Sequence, residues 1–122
     1  MPDQEEAVRT PDLSSEIGSS LASVWARYVG ARPTNAEIHL DGSAVRWTIV
    51  DGAREFEEGM NAVSDDPEKP RPVRTVASYR RETSAAVAKA THRGVTARIS
   101  KEDKKTGTTT ETFILEPKRV RN

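Results

Sequence analysis

Apolar residues recur at Leu13, Ile17, Leu21, Val24 and Tyr28. Steps of three and four put them on one stripe of a helix, and Trp25 widens that stripe. Thr10-Pro11-Asp12 marks the start: Thr can cap, Pro suits the first turn, and an acid suits the positive end of the dipole. Gly30 ends the helix and Pro33 prevents its resumption. The period then changes to two. Ile38 and Leu40 share one face of a strand over residues 36–40, and Asp41-Gly42 is a hairpin signal. In the strand from Ala44 to Val50, Val45, Trp47 and Ile49 share one face, with Arg46 and Thr48 on the other. Asp51 can cap a short helix carrying Phe56, Met60 and Val63 on one side, although Gly59 weakens it. Residues 64–72 hold three prolines among charged residues and read as a loop. Pro72 fits the first position of a long helix with the stripe Val76, Tyr79, Thr83, Val87 and Ala90, which Gly94 closes. Val95, Ala97 and Ile99 alternate on one face of a third strand. Residues 101–107 form a charged turn. Thr109 to Glu116 is the last strand, with Phe113 and Leu115 on one face, and Pro117 ends it.

The expected order is α-β-β-α-α-β-β, a helix followed by a hairpin, twice. Helices laid over a four-stranded, mainly antiparallel sheet would bury both stripes, which makes the fold class α+β. Residues 10–117 form one domain, residues 1–9 a disordered acidic leader, and residues 118–122 a basic tail. Four strands cannot close a barrel, so two sheet edges stay open. The apolar list is thin for the length, and a homodimer covering an edge or the helical layer would relieve both problems.

Composition narrows the chemistry. The 122 residues contain no Cys, which removes disulfides, thiolate catalysis and thiolate metal sites. No apolar run approaches the ~20 residues of a membrane span. The start of the chain is acidic and polar, unlike a secretory signal. A cytoplasmic location follows as the expectation. Lys+Arg and Asp+Glu are both 19, so the formal net charge is zero. That total hides two halves: residues 1–66 carry 13 acids and 5 bases, and residues 67–122 carry 6 acids and 14 bases, a net of −8 against +8. The halves can neutralise each other within one chain or between subunits, or the basic half can meet an anionic partner.

Candidate chemistry is sparse. Glu37, His39 and Asp41 share one strand face, which is also what any solvated strand face shows, so no metal ligand is assigned. His92, at the end of the long helix, suits the negative end of its dipole better than acid–base work. Trp25, Tyr28, Trp47 and Phe56 fall on apolar stripes and read as core, with a small-ligand pocket as the alternative. No phosphate-loop or nucleophile-elbow spacing occurs, so no catalytic residue, cofactor or enzyme activity is expected. Arg71, Arg74, Arg80, Arg81, Lys89 and Arg93 gather on or before the long helix, and Arg74 and Arg81 share a face. With Arg32 at the end of the first helix, Arg74, Arg80, Arg81 and Arg93 are the candidate anion- or partner-binding residues. Only Tyr79 interleaves them, too few rings for a single-strand nucleic-acid platform, so nucleic acid is the weaker reading.

The order of these pieces is familiar. A helix ending in Gly30-Ala31-Arg32-Pro33-Thr34 enters a hairpin. A long arginine-bearing helix enters Thr91-His92-Arg93-Gly94-Val95, and the last strand reads Phe113-Ile114-Leu115-Glu116. Over about residues 13–117 this resembles a small bacterial domain family, named after the third component of the sodium-translocating membrane-potential-generating system. Members show Gly-Arg-Gly-Pro at the first helix end, Leu-Thr before the short helix and Thr-Gly-Arg before the third strand. Here Gly30-Ala31-Arg32-Pro33, Asp51-Gly52 and Thr91-His92-Arg93-Gly94 stand there, the mark of a divergent member. The resemblance implies a non-enzymatic accessory protein, acting by protein–protein contact beside a membrane ion or inorganic-carbon transport system. That would place it in the cytoplasm, peripheral at the inner face of the membrane. It carries over no catalytic residue.

Overall fold

The computed structural model describes residues 12–61 and 75–117. The expected leader, Val63 of the short-helix stripe, the proline-rich loop with Arg71 and Pro72, Arg74 and the basic tail lie outside the described residues. Helix α1 spans Leu13–Val29, strands β1 and β2 span Ala36–Asp41 and Ala44–Ile49, and helix α2 spans Gly52–Asn61. Helix α3 spans Val76–Thr91, and strands β3 and β4 span Val95–Asp103 and Thr108–Leu115. The four strands form one antiparallel sheet in the order β1-β2-β4-β3. The second strand of each hairpin is therefore central, which gives the helix–hairpin repeat a geometric counterpart. The architecture is α+β.

The caps correct several boundaries. Asp12, not Thr10, caps α1, its carboxylate accepting from Ser14 N at 3.4 Å. Thr75, not the segment around Pro72, caps α3: it forms a capping box with Ser78, whose N–H donates to Thr75 Oγ1 at 3.0 Å. His92, not Gly94, takes the left-handed position after α3, with φ of 58°. Asp51 also has positive φ, 57°, immediately before α2.

Gly59, which weakens α2 by propensity, is what lets it dock. A Cβ there would lie 2.4 Å from Val29 Cγ1 and 2.7 Å from Val29 Cα. Propensity yields to the close approach of two helices.

All three helices lie over one face of the sheet. Ile17, Leu21, Val24, Trp25 and Tyr28 of α1 and Tyr79, Thr83 and Val87 of α3 are buried against Val45, Trp47, Ile49, Phe113 and Leu115. Trp25 is the hub, its ring 5.9 Å from Trp47, 5.4 Å from Phe56 and 6.2 Å from Tyr79 in edge-on or tilted contacts. Such pairs add about 0.5–1.5 kcal/mol each beyond area burial. Four aromatics thus compensate for the short apolar list. The Tyr28 hydroxyl bonds Glu82, and Arg27 pairs with the same carboxylate at 2.8 Å, tying α1 to α3.

One strand departs from its expected faces. β3 is longer than expected, running to Asp103, and a register shift lies between Val95 and Ala97. Thr96 is the extra residue of a bulge, which reverses the alternation beyond it. Val95 remains with the core. Ala97 and Ile99 turn to the outer face, where Ile99 is 48% exposed. Arg98 turns inward, opposite Phe113.

Candidate functional sites: a cationic cleft and an open sheet face

The inward turn of Arg98 is answered on β4. Glu111, Phe113 and Leu115 share the core face at period two, so Glu111 is buried as well. The Arg98 and Glu111 side chains form an ion pair, only 11% and 10% exposed. Tyr79 donates its phenol to the other oxygen of Glu111 at 3.2 Å. Arg98 also donates to the Thr83 hydroxyl and, at 2.8 Å, to the Arg80 carbonyl. Thr83 in turn donates to the Tyr79 carbonyl at 2.9 Å. The guanidinium lies 4.9 Å from the Phe113 ring centre and 5.6 Å from that of Tyr79, between two negative ring faces. Among the described residues, only Arg98 Nε and Trp25 Nε1 are buried side-chain donors without a partner.

Burial lowers the Arg98 guanidinium to about 10; the Tyr79 phenol opposes that shift and the positive charge of Arg80 adds to it. It is therefore charged at neutral pH. Burial pushes the Tyr79 phenol well above its ordinary range, with the Arg98 charge opposing.

The ion pair floors a cleft that opens between the helices and the β3 edge. One part, about 470 Å³, lies between α2, α3 and the β3–β4 hairpin, with Phe56, Val76 and Tyr79 among its walls. A second part, about 560 Å³, is lined by Arg80, Arg81, Ser84, Arg98 and Ser100. The two share Arg80, Arg98 and Ser100.

Of the arginines selected from sequence, the structure brings Arg80 and Arg81 together in this cleft. Arg32 lies elsewhere and bonds Ser23 Oγ at 3.3 Å. Arg93 is a brace: it donates to the Glu116 carbonyl at 2.7 Å and to Ser43 Oγ at 2.9 Å, tying the end of β4 to the first hairpin. The four described candidates therefore do not form one surface. Arg98 joins Arg80 and Arg81 instead, and the sequence signal for it is Glu111 on the core face, which requires a cation.

The outer sheet face has no described helix over it. The ladder sets three rows across the strands in the order β1, β2, β4, β3: Asp41–Ala44–Ile114–Ala97, His39–Arg46–Thr112–Ile99 and Glu37–Thr48–Thr110–Lys101. Its centre is small, neutral and β-branched apart from Arg46. Acids lie along β1, and Lys101 lies on β3. Glu37, His39 and Asp41 are all exposed here, and no group of three His, Cys, Asp or Glu converges on a metal position among the described residues.

No helix among the described residues is long and apolar enough to cross a membrane. Compared with protein-family models, with curated proteins and with solved structures, the chain matches none.

Proposed function

We propose that the chain is a non-enzymatic protein-interaction module that self-associates through the open sheet face and serves as an accessory to membrane ion or inorganic-carbon transport machinery. The observation that carries the interaction reading is the order of residues across that face. Two copies stacked about a two-fold axis parallel to the strands lay β1 of one over β3 of the other and keep each row in place. Glu37 of each copy then meets Lys101 of the other, Arg46 of each lies over Thr112 of the other, and the remaining Ala, Thr and Ile positions pack together. Stacked sheets lie ~10 Å apart, within reach of Glu and Lys side chains meeting midway. The opposed charges of the two halves of the chain favour the same arrangement. Among the described residues, no ion pair joins an acid of residues 1–66 to a base of residues 67–122.

Four strands about 4.8 Å apart and about six residues long at ~3.3 Å give a footprint of roughly 400 Å² per copy. That is a small interface, so association belongs in the micromolar range. The transport assignment rests on the family resemblance.

Sedimentation over about 1–300 μM tests the first part, a range that brackets a micromolar constant. A reversible dimer is expected, and Ile114→Glu, which places an acid over Ala44 of the other copy, abolishes it. A tagged pull-down from detergent-solubilised membranes of the native host tests the second, with a transporter subunit expected in near-stoichiometric amount. A monomer throughout, with no membrane protein recovered, overturns the reading.

A further inference from the structure

We propose that the cleft beside α3 binds a small organic oxyanion: a carboxylate or phosphate joined to a planar or apolar body. The argument comes from how the cleft divides. Its outer part presents three guanidinium-bearing side chains and two serines, Ser84 and Ser100, with no acid among its described lining residues. Arg98 is committed to Glu111 inside the fold. The exposed Arg80 and Arg81 have no carboxylate partner among the described residues, and Arg80 is close enough to Arg98 to disfavour its charge. Like charges held side by side are a standing cost that an oxyanion removes, and guanidinium groups match carboxylate and phosphate oxygens in pairs.

The inner part has a different character. Phe56, Val76 and Tyr79 supply ring and aliphatic surface, and Val76 is half exposed although apolar. The two parts meet at Arg80, Arg98 and Ser100. A ligand filling both carries its charge at one end and its ring or chain at the other. Inorganic phosphate would use only the outer part, and a neutral ring only the inner. Glu57 and Glu102 also line the inner part, which disfavours a second negative group on the body and tolerates a donor there. The buried pair beneath serves this site by position. Arg98 holds the Arg80 carbonyl, so the helix turn that carries Arg80 and Arg81 is pinned to β3.

The test is calorimetric titration of the intact chain with adenosine 5′-monophosphate, 1-naphthoate, inorganic phosphate and adenosine. At least one of the first two is expected to bind at least about tenfold more tightly than inorganic phosphate or adenosine, a difference of about 1.4 kcal/mol. Binding of only the nucleotide assigns a phosphate-bearing ligand, and binding of only the naphthoate a carboxylate-bearing one. Arg80→Gln/Arg81→Gln, both at exposed helix positions, should weaken that binding by tenfold or more without lowering the melting temperature, since it relieves the like-charge cost, and without changing the dimer constant. The Ile114→Glu variant should bind as the wild type does. No heat from either bipartite probe at millimolar concentration overturns the proposal, as does binding indifferent to the double substitution. A single-stranded oligonucleotide that binds with steep salt dependence, when the mononucleotide does not, also overturns it and assigns the arginines to a nucleic-acid surface.

Discussion

Breaking the Arg98–Glu111 pair from either side should destabilise the fold far more than removing it whole. Both side chains are about nine-tenths buried. Glu111→Gln keeps the shape and removes the carboxylate charge, leaving the guanidinium with the Thr83 hydroxyl, the Arg80 carbonyl and two ring faces. Two unit charges ~4 Å apart at an effective dielectric of about 20 attract by roughly 4 kcal/mol. Loss of one partner of a buried pair costs about 3–5 kcal/mol. Arg98→Met costs a similar amount at pH 8, where Glu111 keeps only the Tyr79 phenol. That cost has a sign with pH. The uncompensated carboxyl is protonated more readily folded than unfolded, so its folded-state pKa is raised, and the variant regains stability as the pH falls. Arg98→Met/Glu111→Met replaces the pair by apolar volume and should lie within about 1 kcal/mol of wild type, or above it. Urea unfolding followed by circular dichroism reads all four proteins, with unchanged slopes required for comparison. The double variant keeps the test readable if a single variant fails to fold. Single costs below about 1 kcal/mol, or a double variant no more stable than either single, would refute a buried and mutually dependent pair.

The remaining predictions concern other points of the fold. Burial, with the Glu82 hydrogen bond next, raises the Tyr28 phenol, and Tyr79 is raised by burial; stability from both is complete below the unfolded value near 10 and is lost as pH climbs above it. Absorbance at 295 nm should therefore show little tyrosinate at pH 10 and then rise together with unfolding; half-ionisation of the two tyrosines at pH 10 in the folded chain would contradict this. Gly59→Ala should lower stability by about 1–3 kcal/mol through overpacking against Val29, whereas helix propensity alone forecasts a gain of about 1 kcal/mol; thermal melting decides by sign. Thr75→Ala removes the capping box of α3 and should cost about 0.5–2 kcal/mol in the same assay.

The first hairpin and the core stripes of α1, β2, α3 and β4 are legible in the sequence because each has an unbroken period. Gly30 does end α1, with φ of 99°. The arginine cluster is half legible. Arg80 and Arg81 are neighbours in the sequence, but adjacency on one helix says nothing of what the neighbouring strand adds. The third strand reads wrongly because one inserted residue inverts every face beyond it, and alternation of Val95, Ala97 and Ile99 looks the same with or without that insertion. Propensity likewise argues against α2 at Gly59, where a contact with Val29, remote in sequence, decides.

The bulge at Thr96 links the two candidate sites. With regular pairing, Ile99 would join the core and Arg98 would lie on the outer face, where it would add a second cation to that of Arg46 within the proposed stack. Glu111 would then be buried without its counter-ion, and Arg80 would lose the strand that anchors its turn. The single extra residue turns Arg98 beneath α3 and Ile99 outward into the row with Thr112. The cationic cleft and the apolar patch therefore lie on opposite sides of one sheet but depend on the same backbone irregularity. The proposed ligand binding and the proposed self-association would be separable by side-chain substitution, since Arg80 and Arg81 belong only to the first site and Ile114 only to the second. They are not separable by any change that moves the register of β3, because restoring regular pairing there would remove both at once.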